Sequence, residues 1–432
     1  MKNFIFSAAL AISMLSANAQ DNTRIATLDL TAAELAHYMA PGWNLGNTME
    51  AGDNANNFTA NGGEAAETSW QNTRTTHELI KLIKKKGFKT IRIPTAWVMG
   101  HLADKVTMKI DEKWLKRVKE LVDYSISENL YVELNDHWDG GWMEYDGFTT
   151  GANVEEKKRQ LHMLWTNIAN AFKDYDERLI FGGLNEPGVG GASKEAKGKL
   201  IFNQYADNDE ELEAFSKRLT EYEQVFIDAV RATGGNNAKR VLVVSGPSVN
   251  LVRTYKYFDA TKLKDSANSR LMVEVHHYDP YSFCQMEKDT EWGKTHYYWK
   301  GHAPKDAGQR SVAANMEDEL KSQMKNLKEK FVDNGYPVLV GEYGCNLRNI
   351  DASEGDQKKH DESVGYWYNS NTMNMMSYGL IPVVWDTNSM NRPNMTIVDR
   401  ENLKITNTKI YSNIMEGAKH GQKAYESIYP KP

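Results

Sequence analysis

Two glutamates stand where a parallel strand is expected to end. One closes the run Leu179-Ile180-Phe181-Gly182-Gly183-Leu184-Asn185-Glu186-Pro187, and the other closes Pro337-Val338-Leu339-Val340-Gly341-Glu342-Tyr343-Gly344. Short apolar runs bounded by Gly and Pro read as buried parallel strands, and in sheets and barrels of such strands chemistry collects at the carboxyl ends. The two carboxyl groups are 156 positions apart in sequence, yet two strand ends can bring them to one pocket. A pair of this kind can protonate a leaving oxygen while its partner attacks a glycosidic carbon or activates water. Either Glu alone reads equally well as a salt-bridged strand terminus. Their shared context favours chemistry.

Other polar residues fall at the same end of other strands. Arg92 lies inside Thr90-Ile91-Arg92-Ile93-Pro94, where a charge is tolerated only if paired, and a carboxylate on an adjacent strand would pair it. His137 follows Tyr131-Val132-Glu133-Leu134-Asn135-Asp136, and His276 and Tyr278 lie two apart, hence on one face of an extended chain. Asn185 precedes the first Glu, and Trp385 ends the last strand run. Any one His is more often structural than functional. The competing use of His137, His276, His277, Asp139 and Asp279 is a metal site, but no His-x3-His or His-x-His spacing occurs. The reading assigns no metal and no cofactor.

The elements that must carry these residues follow from periodicity. Strand-like runs fall at Gly42 to Gly46, Phe88 to Ile93, Leu130 to Asn135, Leu179 to Asn185, Arg240 to Ser245, Leu271 to His276, Pro337 to Glu342 and Leu380 to Asp386. Between them, helical spacing covers His77 to Lys86, Glu112 to Asn129, Glu155 to Tyr175, Asp209 to Thr233, Met316 to Asn334 and Glu362 to Tyr378. Strand and helix alternating eight times predict an α/β fold of the (β/α)8 (TIM) barrel kind, a single domain over 20–432. An open doubly wound sheet lacks its Gly-rich dinucleotide loop. Two connections are long, Gly188 to Asp209 and Cys284 to Ser311, and long connections on a compact scaffold often cover a site. The second holds Trp292, Tyr297, Tyr298 and Trp299, read either as one end of a groove or as packing.

At this point the chain resembles glycoside hydrolase family 5, the cellulase family. The resemblance rests on Gly42-Trp43-Asn44-Leu45-Gly46-Asn47, Ile91-Arg92-Ile93-Pro94, Asn185-Glu186-Pro187, His276-His277-Tyr278 and Gly341-Glu342-Tyr343-Gly344, in the family's order and across about residues 40 to 390. It implies a (β/α)8 barrel that hydrolyses β-linked polysaccharides with retention, with Glu186 as acid/base and Glu342 as nucleophile. It also places Arg92, His137, Asn185, His276, Tyr278 and Trp385 at the remaining active-site positions. One departure stands out. Where many members carry two consecutive His, this chain has His137-Trp138, so one substrate-facing side chain differs. Trp43, Trp138 and Trp142 are candidates for flanking sugar subsites, and alternation should turn His277 away from the site. Retention implies carboxyl groups roughly 5–5.5 Å apart.

Composition bounds the rest. Lys2 followed by apolar Phe4 to Leu15 and then Ser16-Ala17-Asn18-Ala19 matches a secretory leader at 1–19, too short to span a bilayer. Cleavage after Ala19 and a secreted or periplasmic protein are expected, with no later membrane span. A net charge of −6 without basic blocks argues against nucleic acid. Oligomeric state is open. Cys284 and Cys345 follow neighbouring strands, and either a disulfide or two buried thiols would satisfy them. The function expected is an endo-β-1,4-glucanase acting on cellulose-like or mixed-linkage β-glucan. Xyloglucanase, β-mannanase and xylanase activities are alternatives on the same scaffold, and a non-catalytic glycan-binding barrel or a metal-dependent hydrolase are alternatives of another class.

Overall fold

Eight short strands close on themselves: β1 (Gly42–Asn44), β2 (Thr90–Ile93), β3 (Tyr131–Asn135), β4 (Leu179–Gly182), β5 (Leu242–Asn250), β6 (Leu271–His277), β7 (Val338–Tyr343) and β8 (Leu380–Val384). Each pairs in parallel with its sequence neighbours, and β8 returns to β1. The structure is a computed structural model that describes residues 29–52, 64–71, 73–189, 201, 208–299 and 301–432. The expected leader at 1–19, and nearly all of the long connection after β4, lie outside the described residues.

The connections carry helices: α1 (Ala32–Ala36), α2 (His77–Lys85), α3 (Glu112–Ser127), α4 (Val154–Ala171), α5 (Asp209–Ala232), α6 (Leu251–Tyr257), α7 (Met316–Lys330), α8 (Gln357–Ser377) and α9 (Thr408–Ile428). Their starts are written in the chain. Thr76, Asp111, Asn153, Asn208 and Asn250 each cap a first-turn N–H with a side-chain oxygen. After α2, Gly87 takes φ +90°, a left-handed stop that suits glycine. One apolar cluster runs from Leu30 to Tyr429 through the strands and the inner helix faces.

All eight expected strands form, with shifted ends. The fifth extends to Asn250 instead of Ser245, and the fourth leaves the ladder after Gly182. α8 starts five residues before Glu362 because Asp356 caps the N–H of Lys359. The short α6 and the polar C-terminal α9 stood outside the expected set. α9 packs closely on α8: a Cβ on Gly417 would lie 2.4 Å from the Asn369 carbonyl.

Register decides which side chains share a layer. Asn44 of β1 is opposite Arg92 of β2, Arg92 is opposite Glu133 of β3, and His276 of β6 is opposite Glu342 of β7. A register shift between Val275 and His276 sets the last of these pairs.

The opposite end of the barrel is held by Arg240, which enters β5. Its guanidinium donates to the carbonyls of Phe172, Tyr175, Asp176 and Leu179 and to Asn237 Oδ1, at 2.7–3.2 Å. Burial lowers its pKa to about 9, and these acceptors satisfy it in place of water. Arg240→Leu removes all five donated hydrogen bonds; the Phe172, Tyr175 and Asp176 carbonyls keep a second donor, so each loss costs about 0.5–1.5 kcal/mol. We expect urea unfolding to show a loss of roughly 2–4 kcal/mol with kcat at low temperature unchanged, and an unaltered unfolding midpoint would refute this role.

Candidate active site

Arg92 sits fully buried at the centre of the barrel mouth and is touched from five other segments. Nη1 donates to Glu342 Oε1 at 2.9 Å and to Asn44 Oδ1 at 3.1 Å, and Nη2 donates to Asn185 Oδ1 at 2.6 Å. Nη2 also lies 3.1 Å from Glu274 Oε1, and Nε lies 3.0 Å from Glu133 Oε2. These last contacts are close ion pairs by distance; Nε and both Glu133 oxygens lack an aligned hydrogen bond. Burial opposes the guanidinium charge, but Glu274, Glu133 and Glu342 outweigh it and raise the pKa. The carboxylate anticipated on an adjacent strand is Glu133, its register partner.

Glu342 is 5% exposed and also accepts the Tyr278 hydroxyl at 2.7 Å. Burial and the Glu342 charge push that hydroxyl well above its ordinary range, so its proton stays on the donor. His276 Nδ1 is 3.0 Å from Glu186 Oε1 and 3.6 Å from Glu342 Oε2, while its Nε2 is 3.1 Å from Glu274 Oε1. One ligand-type atom from each of Glu186, His276 and Glu342 lies within 4.8 Å of the others. Burial works against a charged His276, but Glu342 and the bonds to Glu186 and Glu274 prevail and hold its pKa up at about 10. At neutral pH both ring nitrogens therefore donate.

The supporting residues are equally fixed. Asn185 accepts from Arg92 and lies beside the Glu144 carboxyl, and one of its amide N–H groups has no partner among the described residues. Asn135 accepts from Thr95 N–H and donates to His137 Nδ1 at 3.4 Å, which puts the ring proton of His137 on Nε2, facing Glu342 at 3.9 Å. Burial, with Arg92 and His276 nearby, holds His137 well below its ordinary pKa, hence neutral. Its ring stacks on half-buried Trp385, centroids 5.9 Å apart and 7° from parallel. His277 turns away as expected and bonds Asn371 under Trp367.

Two expectations are corrected. Trp43 is fully buried: its Nε1 donates to Asp386 Oδ2 and Arg400 lies 5.0 Å over its ring, so it supports the neighbouring segment that carries Trp385 and cannot face a sugar. Trp142 is 3% exposed, with Nε1 on Asp136 and the Lys157 ammonium over its ring. The turn beneath it is organised by Asp139, which takes the N–H groups of Trp97, Val98 and Met99. Trp138 remains half-buried and packs against Gly141. In the long connection after β6, Tyr297, Tyr298 and Trp299 are buried, and only Trp292 stays exposed, against Tyr281. Cys284 and Cys345 are two free buried thiols, and burial together with Cys345 pushes the Cys284 thiol up.

Asn44, Glu133, Glu144 and Glu274 belong to this network and were not singled out in the sequence. Glu144 accepts the N–H of Glu186 and of Trp138, and burial with the Glu186 charge beside it raises its pKa to about 8. Glu133 and Glu274 carried a visible signal, a charge inside an apolar strand, the same one that marked Arg92.

A closed parallel barrel with two facing glutamates at the ends of β4 and β7 defines a glycoside hydrolase of the barrel class. The chain belongs to glycosyl hydrolase family 5, the cellulase family, whose pattern matches residues 51–391. It is 34% identical to endoglucanase A of Ruminococcus albus over 416 residues, covering 93% of this chain and 99% of that protein. It is 33% identical to endoglucanase A of Paenibacillus barcinonensis, covering 90% of each. Among solved structures, a xyloglucan-specific β-1,4-glucanase from a ruminal metagenomic library, in complex with the oligosaccharide XXLG, superposes with a TM-score of 0.77 at 40% identity, covering 91% of this chain and 97% of that one.

The buried acids have a measurable consequence. Glu50, raised to about 7 by burial, and Glu133 and Glu144, each at about 8, keep protons that the unfolded chain releases near 4.5. His276, at about 10 against 6.5, acts in the same direction. Where the folded state binds more protons, stability falls as pH rises. The low values of His101, about 3, and His360, about 4, act oppositely, but their effect fades as the unfolded imidazoles lose their protons just above pH 6.5. The urea midpoint should therefore drop between pH 6.5 and 8, and a flat or rising midpoint would show that these acids are ionised in the fold.

Proposed function

We propose that this chain is a retaining endo-β-1,4-glucanase that works by double displacement. The observation carrying the proposal is the proximity of Glu186 and Glu342, oxygens within 4.8 Å with His276 between them, which leaves no room for the intervening water of an inverting site. Glu342, ionised under two donors, Arg92 and Tyr278, is the nucleophile toward the anomeric carbon. Glu186, 29% exposed and open to substrate, delivers a proton to the departing glycosidic oxygen. When the glycosyl ester forms, the charge of Glu342 is consumed, and Glu186 takes a proton from the water that hydrolyses the ester. The free N–H of Asn185 is placed for the sugar 2-hydroxyl, a contact that strengthens toward the transition state. Trp385, backed by His137, offers the floor for the ring beside the scissile bond.

The preferred backbone is cellulose-like or mixed-linkage β-glucan. A second reading, xyloglucan, is favoured by one observation: the ruminal relative at 40% identity is xyloglucan-specific. We also propose export, from the leader at residues 1–19; mass spectrometry of protein recovered outside the cytoplasm should find Gln20 at the amino terminus.

Glu342→Ala should lower turnover by roughly four orders of magnitude, with azide restoring it to give the inverted anomer because the anion fills the vacated space. Glu186→Ala should spare the glycosylation step of aryl glycosides with activated leaving groups far more than that of natural glucan. A folded Glu342→Ala protein without rescue would refute the nucleophile. A panel of carboxymethylcellulose, lichenan, xyloglucan, mannan and xylan should show early mid-length products from the first three, and faster cutting of mannan or xylan would overturn the substrate class.

A further inference from the structure

Two carboxyl groups lie beneath the reacting pair, where no substrate atom reaches. Glu133 and Glu274 are fully buried inside the barrel, and each occupies a place that a neighbouring strand vacates. A Cβ on Gly182 would lie 2.1 Å from Glu133 Oε1, and a Cβ on Gly341 would lie 1.8 Å from Glu274 Oε1. The barrel is thus shaped around these carboxyl groups, since any side chain at either glycine would evict one. Both contact Arg92, but only Glu274 also reaches His276. Its Oε1 stands between two cationic donors, Arg92 Nη2 and His276 Nε2, each at 3.1 Å.

We propose that Glu274 is a positioning residue for the acid/base: by accepting His276 Nε2–H, it holds that ring as a charged double donor whose Nδ1–H stays on Glu186 through both half-reactions. The inference rests on Glu186 being the acid/base. The groups facing the His276 ring are Glu186 after β4, Glu274 on its own strand, Glu342 on β7, Tyr278 two residues on, Arg92 on β2, Glu133 on β3 and His137 after β3. Of these, Glu186, Glu274 and Glu342 are the anionic partners in contact, and the ring's raised pKa of about 10 follows from them.

The chain Glu274–His276–Glu186 has a defined task. When Glu186 gives its proton to the leaving oxygen, the new carboxylate already holds a charged donor at 3.0 Å, and no proton needs to leave His276. When Glu186 takes a proton from water, the same donor is retained. Without the Glu274 charge, the ring gives up its proton at a lower pH and the Glu186 carboxylate loses its strongest donor. Glu186 then keeps its proton to higher pH, which favours the acid step, whereas the base step toward water, which needs the ionised carboxylate, is displaced to higher pH.

The test is the pH–rate profile of Glu274→Gln, whose amide nearly matches the shape of the native side chain. With an activated aryl β-glycoside, for which hydrolysis of the glycosyl ester limits turnover, the acid limb of kcat should move up by about half a unit or more, so that kcat on that limb falls about threefold while kcat/KM changes little. With natural glucan, whose leaving oxygen needs the acid, the alkaline limb of kcat/KM should move up by about half a unit or more. Glu133→Gln, which touches Arg92 over an equivalent glycine but not His276, should leave that limb in place. A limb unmoved by Glu274→Gln, moved equally by Glu133→Gln, or parallel loss of kcat and kcat/KM at every pH would overturn the proposal. Should Glu274→Gln fail to fold, 15N-histidine spectra of the wild-type chain decide it: His276 must show two protonated nitrogens at pH 8, and a neutral ring at pH 7 is contrary. Failure of the underlying assignment reads differently. Glu186→Ala would then retain the alkaline limb on natural glucan, whereas loss of the limb there with no shift in Glu274→Gln sinks the relay alone.

Discussion

A guanidinium buried without water is the constraint around which the catalytic end of this barrel is arranged. Arg92 cannot lose its charge, and no solvent reaches it. Its donors must therefore end on protein acceptors, and the surrounding strands supply them: Asn44, Glu133, Asn185, Glu274 and Glu342. Two of those acceptors, Asn185 and Glu342, also face the cleft. Holding Arg92 in place thus sets the rotamers of the two groups proposed to meet the sugar. Such a cluster adds little net stability compared with an apolar core, but removal of one member leaves a buried charge without its partner.

Arg92 and His276 are the cationic members, Glu342 and Glu274 each contact both, and burial, against the pull of Arg92, raises the pKa of Glu133 to about 8. Glu144 plays a similar part beside Glu186, as a buried acid at about 8 that still organises the backbone by accepting two N–H groups. A fold that ionised all of these carboxyl groups at once would place several negative charges within one barrel mouth, and desolvation forbids that.

Much of this was legible in the chain because its signals are local. Alternation placed His276 and Tyr278 on one face and turned His277 out, and both came from spacing alone. Apolar runs, several of them bounded by Gly or Pro, marked all eight strands, because parallel strands buried on both faces leave little choice of residue. What escaped depends on distant partners. Trp43 and Trp142 look like sugar platforms in sequence, since an aromatic residue near a strand end has the same local pattern whether it faces a cleft or a neighbouring loop. Only the fold reveals Asp386 and Asp136 waiting for their indole N–H groups. Glu133 and Glu274 were overlooked for a related reason: the small residues that make room for them, Gly182 and Gly341, lie on other strands. Element ends shifted by a few residues because helix caps such as Asp356 and ladder irregularities such as that before His276 are set by local hydrogen bonds rather than by hydropathy.

The strap formed by Arg400 bears on where this catalytic unit ends. Its guanidinium reaches the carbonyls of Gly46 and Asp386 and the Thr48 hydroxyl while lying over Trp43, so the first strand's exit and the last strand's exit are clamped by a residue beyond both. The family pattern stops at residue 391, nine positions earlier. A shuffled or transplanted catalytic module cut at that boundary would keep every reacting group yet lose the brace beneath the Trp385 segment. The working frontier of the enzyme therefore lies in the tail, past the last recognisable motif.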